Sequence, residues 1–64
     1  MKVKYDKEID VLYIRLNENK ILESDEEKPG IIIDYDDQGA IAGIEILNAS
    51  QKMPHPEQVE YELA

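Results

Sequence analysis

The sequence predicts a mainly β fold: a small antiparallel β-sheet, a meander of hairpins with five to six strands, and a short helical turn near residues 48–53. Three observations carry this. Strand-length runs rich in β-branched and aromatic residues recur along the chain, as in DVLYIRL and IIIDYD. Apolar and polar residues alternate in several of them. Turn residues stand between them at Pro29–Gly30 and Asp36–Gly39.

Lys2 to Asp6 places Val3 and Tyr5 on one side and Lys2, Lys4 and Asp6 on the other, the period of a half-buried strand. A polar turn around Asp6, Lys7 and Glu8 leads into Asp10–Leu16. There Leu12, Ile14 and Leu16 lie on one face, and Val11, Tyr13 and Arg15 on the other. Asn17, Glu18 and Asn19 read as a tight hairpin turn, because Asn tolerates left-handed backbone. Ile21 to Glu27 reads two ways, as an exposed acidic edge strand or as a loop; charge along an edge discourages pairing with another chain. Pro29 and Gly30 supply the fixed and the positive φ of a type II turn.

Ile31–Asp36 is the next strand, and Asp36, Asp37, Gln38 and Gly39 fit a type I turn closed by a left-handed glycine. Ala40–Leu47 returns from it, with Gly43 marking a bulge or a close backbone approach. Asn48 or Ser50 can cap a short helical turn, while Pro54 and Pro56 stop any helix from running through them. Beyond Glu57 both strand and helix are open by composition, and a C-terminal helix would make the fold α+β. The spacing favours a strand: Val59, Tyr61 and Leu63 alternate with Glu60 and Glu62, so an extended chain gathers all three on one side.

With 64 residues, the chain has room for a single domain, residues 1–64, near the lower limit at which one core offsets the entropy of ordering. It has no cysteine and one histidine, so disulfides and a zinc staple are closed to it, and self-association is the remaining support. A net charge of -8 repels nucleic-acid phosphate and anionic lipid, so neither nucleic acid nor membrane is an expected partner. The start MKVKYD lacks the apolar stretch of a signal peptide, and runs such as Val11–Ile14 and Ile31–Ile33 are too short to span a bilayer. The expectation is a soluble, cytoplasmic protein.

One run imitates a calcium loop. Counted from Asp34, DYDDQGAIAGIE has carboxylates at loop positions one, three and twelve and glycine at six, departing from the EF-hand pattern at Gln38. An EF-hand needs a helix on each side; strand signals flank this run, so a β-hairpin accounts for it. The remaining carboxylates read as surface charge, and His55, between two prolines, has no second group with which to act as base or ligand. The four tyrosines fall on alternating strand faces, where a partly buried ring with its hydroxyl at the rim is expected. No catalytic, cofactor-binding or metal-binding residue is expected, and no enzyme activity.

What asks for explanation is the apolar character of both faces of two strands. Val11 and Tyr13 back onto Leu12 and Ile14, and Ile32 backs onto Ile31 and Ile33. A single sheet cannot cover both faces with one helical turn, so either it curls on itself or a second copy packs on it, roughly 10 Å away. The expectation is a homodimer, with Val11, Tyr13 and Ile32 as its self-association face.

The stretches YDKEIDVLYIRL, ESDEEKPGIIIDYDDQGAIAGIEIL and NAS resemble the small prokaryotic domain-of-unknown-function family 2283. The resemblance implies a compact single-domain protein, transfers no catalytic residue, and points to genes some of which stand beside small toxin-like proteins. With the net charge, it motivates a non-enzymatic protein-interaction domain, antitoxin-like towards a basic protein partner, which Glu23, Asp25, Glu26 and Glu27 would face. The alternative is a small-ligand or calcium-binding module using the 34–45 hairpin.

Overall fold

The computed structural model describes residues 1–64. Five strands form one antiparallel sheet: β1 (Lys2–Asp6), β2 (Val11–Arg15), β3 (Glu23–Lys28), β4 (Ile31–Tyr35) and β5 (Ile41–Leu47). One helical turn follows, α1 (Ala49–Lys52). The mainly β antiparallel fold with a short helical turn stands as the sequence predicts, with five strands.

The order across the sheet is β1-β2-β5-β4-β3. It joins a hairpin, β1–β2, to a three-stranded run, β3–β4–β5, whose last strand returns to pair with β2. The tight hairpin expected at Asn17–Asn19 is not formed. Residues 16–22 instead cross from β2 to the far edge. Arg15 holds that crossover, donating from Nε to the Asn17 carbonyl at 2.9 Å and from Nη2 to that of Asn19. The Asn17 side chain accepts the Asn19 amide at 3.0 Å. Composition explains the arrangement. β2 needs an apolar neighbour, which β5 supplies by setting Ile46 and Ile44 opposite Leu12 and Ile14, whereas the acidic β3 fits only an edge.

The remaining turns follow the sequence. Gly30 has φ 79, as the Pro29–Gly30 turn requires, and Gly39 has φ 77, closing the turn in which its amide donates to the Asp36 carbonyl at 3.1 Å. The Asp36 carboxylate accepts the Gln38 and Ala40 amides, both at 2.9 Å, and the Asn19 side chain at 3.1 Å. One acid therefore pins both the hairpin and the crossover above it. The β4–β5 register slips between Asp34 and Tyr35, leaving Ala42 as the extra residue beside Gly43.

The closing strand expected over 57–63 is a correction, as is the alternative C-terminal helix: those residues form neither. Val59, Tyr61 and Leu63 are 60%, 78% and 86% exposed. Alternation gives a segment the capacity to be a strand, but a strand also needs a neighbour, and this one has none.

The shielded interior is small. Val11, Leu12, Ala42 and Ala49 are its buried hydrophobic side chains, and no large side chain is completely enclosed.

Candidate functional site

The strand register sorts the sheet into two faces, because residues directly opposite each other share a side. On one face, Val3, Ile14, Ile44 and Ile33 form a row across the sheet that ends at Asp25 on β3. Tyr5, Leu12, Ile46 and Ile31 form the next row, ending at Lys28. Leu12 is buried; all five isoleucines of these rows are only half-buried. This is a continuous apolar surface bordered by the charges of β3.

The opposite face is polar. Its rows run Lys4, Tyr13, Glu45, Ile32, Glu26 and Lys2, Arg15, Gly43, Asp34, Ser24. Here a cleft of about 350 Å³ opens over Tyr13, Arg15, Asp34 and Glu45, with Lys2 and Lys4 at its side and Ile21 from the crossover. Gly43 pairs with Asp34 beside the cleft. A Cβ there would sit 3.2 Å from Oδ2 of Asp34, so the missing side chain lets the Asp34 carboxylate lie across the strand, diagonal to Glu45. Ser24 donates its hydroxyl to Asp34 Oδ1 at 2.6 Å, and Asp34 is 5% exposed.

Burial first, and then the neighbouring Asp34 carboxyl, pushes Glu45 up from 4.5 to about 7. At neutral pH Glu45 is therefore only partly ionised. Asp34 and Glu45 are the first and twelfth positions of the imitation calcium loop, brought together by the hairpin. Asp36, the third position, is occupied with its own turn. Nowhere do three His, Cys, Asp or Glu side chains gather where a metal could be held.

A second polar centre was invisible in the sequence. Asp10 has a left-handed φ of 57 and sits where the β1–β2 turn meets α1. Its Oδ1 accepts the Tyr5 hydroxyl at 2.7 Å and the Ser50 amide at 2.9 Å, and its Oδ2 accepts the Ser50 hydroxyl at 2.6 Å. Its carbonyl takes the Ala49 amide at 3.0 Å. Asn48 stands at the helix start with φ 52 and no side-chain cap bond, so the distant Asp10 satisfies the first amides of α1. These bonds, first from the Ser50 hydroxyl and then from Tyr5, hold the Asp10 carboxyl below its usual 3.8. Reciprocally, the carboxylate as acceptor pushes the Tyr5 phenol up to about 12.

The model of the family described as a protein of unknown function (DUF2283) matches residues 2–50. The chain belongs to the DUF2283 family. The DUF2283 match takes in the whole sheet, Asp10 with Ser50, and the Asp34–Glu45 pair, and it stops short of the tail. No curated protein and no solved structure matches the chain.

Within this DUF2283 sheet, Val11, Tyr13 and Ile32 do share one face, but it is the polar one. Val11 is only 6% exposed and so already shielded, while Tyr13 and Ile32 are half-buried on either side of Glu45. The broader apolar surface is the isoleucine face behind them. Glu23, Asp25, Glu26 and Glu27 all lie on β3, which is exposed along its whole length. Glu26 accepts the Gly30 amide at 2.8 Å, and Glu27 accepts the Tyr35 hydroxyl at 2.7 Å. Glu23 and Asp25 stand at the rim of the isoleucine face, opposite Tyr35 and Ile33. His55 sits in an exposed loop with Nδ1 3.5 Å from Glu57. No helix is long and apolar enough to cross a membrane.

Proposed function

We propose that this DUF2283 protein is a non-enzymatic, cytoplasmic protein-interaction domain. It works as a homodimer joined through its isoleucine face, and it offers the acidic β3 edge to a basic protein partner in the manner of an antitoxin. The observation that carries the reading is the half-buried set Ile14, Ile44, Ile33, Ile46 and Ile31 around the buried Leu12, with no layer of its own chain large enough to cover it. A second copy packed sheet to sheet removes that surface from water. Glu23 and Asp25 then ring the interface, where lysine or arginine side chains of a partner gain steering and specificity.

Size-exclusion chromatography with light scattering tests the first part. The expected result is a dimer at micromolar concentration, and Ile33→Lys gives a folded monomer. A monomeric parent chain with a cooperative thermal transition defeats the reading. For the partner, co-purification with the product of an adjacent gene is expected to fall when Glu23 and Asp25 are changed to Lys; unchanged recovery removes β3 from the contact.

The Asp34–Glu45 cleft supports a second reading, a small-ligand or calcium-binding module using the 34–45 hairpin. Two carboxylates supply at most four oxygens, whereas calcium takes about 6–8 ligands, so the affinity would be low. Titration with calcium decides: no heat and no rise in melting temperature at millimolar calcium discards it.

A further inference from the structure

We infer that residues 59–63 of one copy add as a sixth strand to the free β1 edge of a second copy, so that the dimer is closed by a reciprocal exchange of tails. The inference rests on the dimer reading above and deepens it. Five strands of five residues present a projected face on the order of 400 Å² per copy, at spacings of about 4.8 Å and 3.3 Å. Stable specific interfaces bury about 800 Å² of accessible surface per partner, so a face of this size gains from any strand that widens it.

The tail and the β1 edge match in pattern and in charge. β1 alternates Val3 and Tyr5 on the isoleucine face with Lys2 and Lys4 on the polar face. The tail alternates Val59, Tyr61 and Leu63 with Glu60 and Glu62. In an antiparallel register with Glu60 opposite Lys4, Glu62 falls opposite Lys2, Tyr61 opposite Val3 and Val59 opposite Tyr5. Both ion pairs then stand on one side, and the apolar rows are extended by one strand on the other.

None of these charges has an ionic partner in the single chain. The one ion pair within 4 Å is His55–Glu57, so Lys2, Glu60 and Glu62 stand apart from any opposite charge, and Lys4 meets only the Tyr13 ring, 5.8 Å from its centroid. Residues 59–63 make no backbone hydrogen bond to β1 or to any other strand, and their three apolar side chains are 60% or more exposed. The other sheet edge is the wrong one, since β3 carries Glu23, Asp25, Glu26 and Glu27 and repels an acidic strand. Strand addition of this kind takes its affinity from main-chain hydrogen bonds and its specificity from alternate side chains.

The absence of native cysteine makes the register directly testable. Val3→Cys and Tyr61→Cys variants, distinguishable by mass, are mixed in equal amounts and oxidised. The expected product is a covalent heterodimer far in excess of either homodimer. The double variant Val3→Cys/Tyr61→Cys is expected to give linked dimers; an intrachain disulfide in a monomer at low concentration overturns the exchange. In parallel, Glu60→Lys/Glu62→Lys should raise the dimer dissociation constant about tenfold or more, and adding Lys2→Glu/Lys4→Glu should restore it. A dimer whose affinity ignores these charges and which forms no 3–61 cross-link overturns the tail exchange while leaving the face-to-face dimer intact. A parent chain that is monomeric at every concentration overturns both.

Discussion

Asp10 and Ser50 lie 40 positions apart in the chain and are joined twice, through the Ser50 amide and hydroxyl at 2.9 and 2.6 Å. A helical turn of four residues cannot hold itself together in water. Its position is set by a carboxylate in the first hairpin of the sheet.

Asp10→Ala is therefore expected to destabilise more than Ser50→Ala. It strands the Ser50 amide and hydroxyl and the Tyr5 hydroxyl together, and it puts alanine in left-handed backbone. Asp10→Asn should fall between them, since Asn tolerates that conformation. Urea denaturation of the three variants gives the order; equal losses from Asp10→Ala and Ser50→Ala would remove Asp10 from this role.

Alkaline titration of tyrosine absorbance reads the same centre from the other side. The Tyr5 phenol, raised to about 12 by the carboxylate that accepts its hydrogen bond, should ionise at the high end of the curve. Tyr5→Phe should delete that part of the curve, and Asp10→Asn should move it to lower pH. A curve unchanged by Asp10→Asn contradicts the hydrogen bond.

Stability should pass through a maximum in mildly acid solution. Asp10 and Asp36 have folded values below 3.8, so what they contribute is present above that pH and lost as pH falls through their folded values. Glu45 runs the other way. Raised from 4.5 to about 7, it contributes stability that is complete below 4.5 and lost as pH rises through about 7. Glu45→Gln should flatten the decline in melting temperature between those two values and leave the acid limb in place. A decline of the same slope in the variant would show that folding does not raise Glu45.

Gly43→Ala should cost about 1–3 kcal/mol, as overpacking of a close contact does. The new methyl meets Asp34 Oδ2 and the Ile14 carbonyl, both at 3.2 Å. Adding Asp34→Ala should recover part of the loss, because the backbone contact remains. Full recovery, or no loss at all, would mean that the floor of the cleft is looser than these distances.

Four strands could be placed from the sequence to within a residue or two, because alternation and the Pro29–Gly30 and Asp36–Gly39 turns are local signals. The state of β3 was open, and its edge position follows from what it lacks: ESDEEK has nothing apolar to set against a central strand. Asn17 and Asn19 misled for a physical reason. Their turn-forming capacity is real, but it is used inside a crossover held by Arg15 and Asp36 rather than in a two-strand hairpin. The Asp34–Glu45 pair was visible only as two positions of a false calcium loop; that they meet depends on Gly43 having no side chain. Asp10 gave no signal, since a cap from so distant a point in the chain leaves no spacing to read.

The β2–β5 pairing at the middle of the sheet has a kinetic consequence. Its two strands enclose the crossover, β3, β4 and both intervening turns, so bringing Val11 to Leu47 closes the longest loop between paired strands. The β3–β4–β5 run can assemble from neighbouring segments and sets Ile33 and Ile31 against Ile44 and Ile46, but the other side of β5 stays open until β2 arrives. Chain closure at that seam is expected to set the pace of folding, with the isoleucines of a nascent chain exposed until the seam is shut.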